Sequence, residues 1–251
     1  MSASDGAASE FRIQSSSQVQ MTDDQAWEQF AAAVRQLGLE FTTDQLERLR
    51  RYERLLREWN ERVNLVSRKD IDRLVGYHFL DSLTASALIP QGSTVCDVGS
   101  GGGLPGIPLK IARDDIRLAL VESTGKKARF LELAVSELKL GQTIVRAERV
   151  ESMSGLQFDV VLSRLVGKTD EIAKWVARLL NPGGLIILYK SATVEAELKQ
   201  AQPALNRLHL KVREVRDFPL PPFARRLVVL AREQGDSGQT RKSAPMIRPY
   251  S

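Results

Sequence analysis

Past residue 90 the chain changes its pattern. Short apolar runs of strand-forming residues, Thr94 to Val98, Ile116 to Val121, Thr143 to Val145, Phe158 to Leu162 and Leu185 to Tyr189, alternate with stretches of helical spacing. Strands interleaved with helices bury both their faces most economically as a parallel sheet with helices on each side, joined by right-handed crossovers. The intervening helices are expected to open near Gly106, Gly125, Asp170 and Val194. The last two runs, His209 to Val215 and Arg226 to Leu230, follow each other through Pro219, Pro221 and Pro222 with no helix between them, which predicts an antiparallel pair at the sheet edge. The expected fold class is α/β, a seven-stranded, mostly parallel sheet with an antiparallel last strand, preceded by N-terminal helices.

Those helices announce themselves before residue 90. From Thr22, Trp27, Phe30, Val34 and Leu37 recur three or four apart, and Gly38 is placed to end the helix. Thr42 and Gln45 form a capping-box pair ahead of an apolar stripe through Leu46, Leu49, Leu56, Trp59 and Val63, whose opposite face mixes Arg48, Arg50, Arg51, Arg54, Arg57 and Arg62 with glutamates. That face reads as solvated and salt-bridged. A further helix is expected from Ile71 to about Leu88, stopping at Pro90. Residues 1–20 and 232–251 have tail-like compositions and are expected to be disordered. The organisation is therefore a tail to residue 20, a helical extension over 21–90, a core over 91–231 and a second tail from 232.

The chain has 251 residues, with 36 Lys and Arg against 31 Asp and Glu, a net charge of +5 that is compatible with a polyanionic partner. A single cysteine, Cys96, and two histidines, His78 and His209, exclude a disulfide framework and a Cys- or His-rich metal cage, so no metal is expected. No apolar run is long enough to span a bilayer and no secretory signal is evident, so the expected address is the cytoplasm, without membrane attachment.

The densest signal is Asp97-Val98-Gly99-Ser100-Gly101-Gly102-Gly103-Leu104-Pro105-Gly106, directly after a strand and before a helix. This is where an open α/β sheet binds a nucleotide-like ligand. Gly101-x-Gly103-x-x-Gly106 formally fits a dinucleotide fingerprint, and the match is weak alone. A pyrophosphate calls for amides and positive charge at this turn. S-adenosylmethionine carries a cationic sulfonium and amino group, and Asp97 ahead of the glycines suits it. Glu122, ending the second strand, can accept hydrogen bonds from ribose hydroxyls in either cofactor. A reversed final strand resembles the Rossmann-like, class I S-adenosylmethionine methyltransferase fold more than a dehydrogenase. The bland alternative is a capped tight turn with no cofactor, which rarely needs so many glycines.

Absent motifs narrow the acceptor. Transfer to an exocyclic amine usually uses Asn or Asp, two prolines and an aromatic after the fourth strand, where this chain has Ser163-Arg164-Leu165-Val166. Attack through pyrimidine C5 needs a cysteine nucleophile, and Cys96 sits within an apolar strand as core filler. Nucleophiles that already present a lone pair, such as a purine ring nitrogen, need only positioning and water exclusion. No catalytic acid or base is assigned.

Trp59-Asn60 with Asn64-Leu65-Val66-Ser67, His78-Phe79-Leu80-Asp81-Ser82-Leu83, Asp97 through Leu109, Lys126-Lys127 with Phe130-Leu131, and Phe158-Asp159 leading to Ser163-Arg164 follow one another in an order that resembles the RsmG (GidB) family. The similarity runs from about Thr22 to Arg232. The resemblance implies bacterial methyltransferases that modify guanine N7 in 16S ribosomal RNA, with the free RNA or the small-subunit particle as partner and S-adenosylmethionine as cofactor; a monomer is expected. It also implies cofactor contacts from Gly99 and Leu104, from Val150 and Glu151, and from Arg164, in addition to Asp97, Gly101, Gly103 and Glu122. Arg146-Ala147-Glu148 competes with Arg149-Val150-Glu151 for the family's Arg-x-Glu element, and Arg164 has a second reading as the structural partner of a buried acid.

The chain departs from the family at Leu165-Val166-Gly167 and at Lys190-Ser191, on the target side. Candidate phosphate contacts are Arg68, Lys69, Lys168, Lys190, Arg225 and Arg226, with a solvated surface charge as each one's alternative. His78 reads as a helix residue tying the extension to the sheet, and Trp27, Trp59 and Trp175 as core. Other readings are a same-fold methyltransferase acting on another RNA, a protein or a small molecule, a non-catalytic RNA-binding protein, and a nucleotide-dependent dehydrogenase.

Overall fold

A computed structural model of the chain describes residues 23–164, 167–191, 193–220 and 223–232. The two expected tails, apart from Arg232, together with Leu165, Val166, Pro221 and Pro222, lie outside the described residues. None of the described helices is long and apolar enough to cross a membrane.

Helix α1 (Asp23–Gln36) buries Trp27, Phe30 and Val34. It ends as its glycine predicts: Gly38 adopts φ +72° and the Leu39 amide reaches back to the Val34 carbonyl. Helix α2 (Thr43–Asn60) opens with the expected capping box, in which the Gln45 amide donates to Thr42 Oγ1 and the Thr42 amide to Gln45 Oε1. Its apolar stripe places Leu49, Tyr52 and Leu56 fully inside.

The single helix expected over Ile71 to Leu88 is instead four short pieces. A 3₁₀ turn (Ile71–Arg73) runs into a π turn (Leu74–Phe79), then into α3 (Leu80–Leu83), and a further 3₁₀ turn (Ser86–Leu88) follows. Hydroxyls compete for the carbonyls that a regular helix would use: Ser82 Oγ donates to the His78 carbonyl and Thr84 Oγ1 to that of Asp81. The π turn widens the coil, and Asp81 in the following turn is fully buried.

The strands are β1 (Thr94–Val98), β2 (Arg117–Val121), β3 (Thr143–Arg146), β4 (Phe158–Arg164), β5 (Leu180–Lys190), β6 (Leu210–Leu220) and β7 (Phe223–Arg232). They form one seven-stranded sheet in the order β3-β2-β1-β4-β5-β7-β6. Strands β1 to β5 are mutually parallel where they pair, and β7 runs antiparallel to both β5 and β6. The reversed strand therefore inserts between β5 and β6, leaving β6 at the edge.

Alternation along the strands sends side chains to opposite faces. Val95, Leu118, Leu120, Leu162 and Ile187 join the core under α1 and α2 and under α4 (Gly106–Ala112) and α5 (Gly125–Glu137). Cys96, Ala119, Val161, Ile186 and Leu188 join the core under α6 (Thr169–Val176) and α7 (Val194–Arg207). Strand order reverses between β1 and β4, so a ligand crevice is expected at their carboxyl ends.

Candidate active site

The glycine loop leaves β1 at this switch point and is stitched to the end of β2. The Gly99 and Ser100 amides both donate to the Val121 carbonyl, and Ser100 Oγ accepts from the Val121 amide at 3.0 Å. Two acids brace it. Glu122 is nearly buried and takes the Gly101 amide on Oε2 at 3.0 Å and the Thr124 amide on Oε1 at 2.8 Å. Asp97 is fully buried and accepts from the Gly106 amide at the start of α4 on Oδ2, while Oδ1 accepts no hydrogen bond among the described residues. Burial pushes the Asp97 carboxyl up to about 7, against the opposing pull of the Gly106 amide and the Arg164 charge. Near neutrality this group gains or loses its charge according to what stands beside it.

The glycines divide between two tasks. A Cβ on Gly106 would lie 2.6 Å from Leu120 Cδ2 and 2.8 Å from Asp97 Oδ2, and one on Gly103 2.5 Å from Ile107 Cδ1. These two are needed so that the protein can close on itself. Gly101 has φ +56°, yet a Cβ there would meet nothing nearer than 3.9 Å. Its bareness is not explained by protein packing, and it sits beside Glu122. Behind the loop, Tyr52 donates its hydroxyl to the Gly102 carbonyl, and Leu56 and Leu65 approach Gly102. The helical extension thus supports the loop from the rear.

Leu104 is buried at the loop's exit, and Gly99 has φ +70°. After β3, a short turn (Val150–Ser152) buries Val150 and exposes Glu151, with both their carbonyls held by Arg178 Nη2 at 2.8 and 2.9 Å. The competing Arg146–Glu148 pair is closed on itself, Arg146 Nε donating to Glu148 Oε1 at 2.6 Å.

Beyond β1 the site changes character. Arg164, ending β4, is buried and donates from Nη1 to Asp81 Oδ2 at 3.0 Å, the structural partnership that was its second reading. Arg225, expected from its position in sequence as a rim contact for phosphate, is buried and turns inward instead. Its Nε donates to Asp81 Oδ1 at 2.6 Å and its Nη2 to Asp81 Oδ2 at 3.1 Å and to the Tyr77 hydroxyl at 2.9 Å, while Nη1 donates to the Lys190 carbonyl. Lys190 is likewise engaged, donating to Glu197 Oε1 at 2.7 Å and to the Gly167 carbonyl, and Arg226 pairs with Asp217 and Glu195. Arg68, Lys69 and Lys168 are exposed.

Ser163 Oγ, beside Arg164, is buried without a hydrogen-bond partner among the described residues. His78 is buried 3.5 Å from Asp70; desolvation and the Arg164 charge hold its pKa down to about 4, so it is neutral at ordinary pH. Cys96 is fully buried and its thiol is pushed well up by burial. Of the tryptophans, Trp27 is core, Trp59 packs half-buried against the same core, and Trp175 packs half-buried against the core on the other face of the sheet.

Sequence reasoning gave no role to Asp81, Tyr77 or Tyr52. One signal for Asp81 was available: an acid within the apolar run Phe79-Leu80-Asp81-Ser82-Leu83 must find a buried cation or remain neutral.

Residues 45–226 match the family model described as GidB, rRNA small subunit methyltransferase G. The ribosomal RNA small subunit methyltransferase G of Chlorobium limicola is 37% identical over 199 residues, 77% of this chain and 90% of that protein. The Chlorobaculum tepidum protein of the same description is 38% identical over 205 residues, 79% and 94% of the two chains. Among solved structures, magnesium protoporphyrin IX methyltransferase from Synechocystis with bound SAM superposes with a TM-score of 0.53 at 18% identity, covering 72% of this chain and 97% of that one. That likeness concerns the fold.

Proposed function

We propose the function that follows from one premise: the chain belongs to the GidB family, rRNA small subunit methyltransferase G. It is a methyltransferase of small-subunit ribosomal RNA, and the acceptor in our reading is N7 of a guanine in 16S RNA. The observation that carries the assignment is the coincidence of that membership with a glycine loop held between Asp97 and Glu122 at the β1–β4 switch point. We further read the enzyme as a cytoplasmic monomer with an extension over 21–90 and a core over 91–231.

The residues fit S-adenosylmethionine, which when bound supplies an electrophilic methyl group on a positively charged sulfur. A cation beside the loop stabilises Asp97 in its ionised form, and Glu122, although it already accepts two amides, retains lone pairs for ribose hydroxyls. Gly99, Gly101, Gly103 and Leu104 shape the loop's approach to the cofactor. Val150 offers an apolar contact for the adenine, with Glu151 near enough in sequence to accept from its amino group. Arg164 supplies a fixed cation at the far side of the crevice.

Guanine N7 presents an unprotonated lone pair, so the protein has no proton to remove before transfer. This agrees with a site whose histidine is held neutral and whose cysteine is sealed in the core. Its tasks are to orient the base, exclude water and hold charge at fixed points. Extruding the base costs on the order of a few kcal/mol, to be offset by phosphate contacts, for which exposed Arg68, Lys69 and Lys168 are our candidates.

The test is methyl transfer from labelled S-adenosylmethionine to naked 16S RNA and to small subunits from a strain lacking the protein, with the product nucleoside identified by mass. Label in 7-methylguanosine at one site is expected. Label in any other nucleoside, or in neither substrate, would overturn the N7 assignment.

A further inference from the structure

The stretch from Phe79 to Leu83 has no part in the function above, yet it contains a fully buried carboxylate with two arginines on it. Asp81 is 0% exposed and accepts three hydrogen bonds, one from Arg164 and two from Arg225. A carboxylate can accept about four, so it is close to saturated.

Its two partners are used differently. Arg225 spends its donors inside the protein, on Asp81, the Tyr77 hydroxyl and the Lys190 carbonyl. Among the described residues the hydrogen bond that Arg164 makes is from Nη1 to Asp81. Two guanidiniums on one carboxylate leave a net positive charge in a buried place, which a further electronegative group at the crevice would stabilise. Arg164 also stands close enough to Asp97 to draw its carboxyl downward, so this charge borders the cofactor loop. The irregular backbone before Asp81 fits this demand, since a π turn immediately precedes the short helix that carries it.

We propose that Asp81 is a positioning residue for methyl transfer: its buried carboxylate, shared with Arg225, fixes the Arg164 guanidinium at the crevice end of β4, with donors directed to an oxygen acceptor. That acceptor is either the carboxylate of the cofactor or an oxygen of the RNA. The inference rests on the methyltransferase reading above. Arg225 takes part as a brace: with Tyr77 and the Lys190 carbonyl it anchors Asp81 from the opposite side.

The test compares the full-length protein with Asp81→Asn, Asp81→Glu and the double variant Asp81→Asn, Arg225→Gln. The double variant has the same net cluster charge as the native protein, so it remains informative should Asp81→Asn alone fold poorly. The first readout needs no activity: ¹⁵N relaxation of the Arg164 Nε–H, assigned with an Arg164→Lys variant. It is expected to be rigid in the native protein and mobile in Asp81→Asn and in the double variant, although the double variant recovers melting temperature. The second readout is the single-turnover rate per cofactor-binding molecule, expected to fall roughly a hundredfold in Asp81→Asn and to return in part with Asp81→Glu.

Weaker S-adenosylmethionine binding by Asp81→Asn would assign the acceptor to the cofactor carboxylate. Unchanged cofactor binding with weaker binding to small subunits would assign it to RNA. An Arg164 as rigid without Asp81 as with it, and a rate within twofold of native per competent molecule, would overturn the proposal and leave Asp81 a structural clamp. If the native protein transfers no methyl group to RNA, the function reading fails instead, and the relaxation result still stands on its own.

Discussion

Around the crevice, the glycine loop keeps its shape largely through main-chain bonds, Gly99 and Ser100 to Val121 and Gly103 to Ser100, whereas the arginine cluster keeps its shape mostly through side chains, with the Lys190 carbonyl as a main-chain acceptor. The loop's acids lie 9 and 21 residues from the amides they hold, while Asp81 lies 83 residues from Arg164 and 144 from Arg225. A main-chain device tolerates change at most side chains but not an added atom where the backbone must close. A side-chain device fails when one charged member is removed, because its partners are left buried without compensation.

The sharpest test of the first half of that contrast is a pair of alanines in the loop. Gly106→Ala forces a methyl group against Leu120 and the Asp97 carboxylate, and should cost about 2–3 kcal/mol of stability together with cofactor binding. Gly101→Ala has room for its Cβ and meets only the strain of its positive φ, about 1–2 kcal/mol, so it should fold and bind the cofactor more weakly. Thermal melting followed by cofactor titration separates the two. Equal destabilisation by both would break the division of labour among the glycines.

A smaller effect probes the boundary between the two devices. The Asp97 carboxyl is raised to about 7 in the folded protein, well above its unfolded value. The free protein therefore binds this proton more tightly when folded, and the corresponding stabilisation is present at low pH and lost as pH rises towards 7. A cationic cofactor favours the ionised carboxylate, so S-adenosylmethionine affinity should rise several-fold between pH 6 and 8. In Asp97→Asn the dependence should flatten. A native affinity independent of pH over this range would show that the loop does not feel the cofactor's charge.

The same contrast explains what was legible in the sequence. Strand β1 occupies Thr94–Val98 as expected, and the loop, Asp97 and Glu122 come together as their proximity to strand ends suggested, because each depends on neighbours in the chain or on the adjacent parallel strand. Strand β5 begins at Leu180, ahead of its expected start, because Asn181-Pro182-Gly183-Gly184 looks like a turn but crosses a register irregularity in the β4–β5 pair. The segment from Ile71 to Leu88 kept its helical spacing in sequence, and hydroxyl back-bonding together with the buried Asp81 broke it into pieces. Arg225 looked like a surface cation because its counter-charge is supplied by a distant helix. Local pattern cannot reveal a partner so far away along the chain.

If the acid-and-glycine end of the crevice binds the cofactor, calorimetric titration of S-adenosylmethionine into the native protein and into Glu122→Ala separates the two proteins. The expected result is one site per native chain, with affinity at least about tenfold weaker in the variant through the loss of paired charge-assisted hydrogen bonds, and a modestly lower melting temperature because the Gly101 and Thr124 amides lose their acceptor. Equal affinity in the two proteins, or no binding by the native chain, would contradict cofactor binding at that end of the crevice.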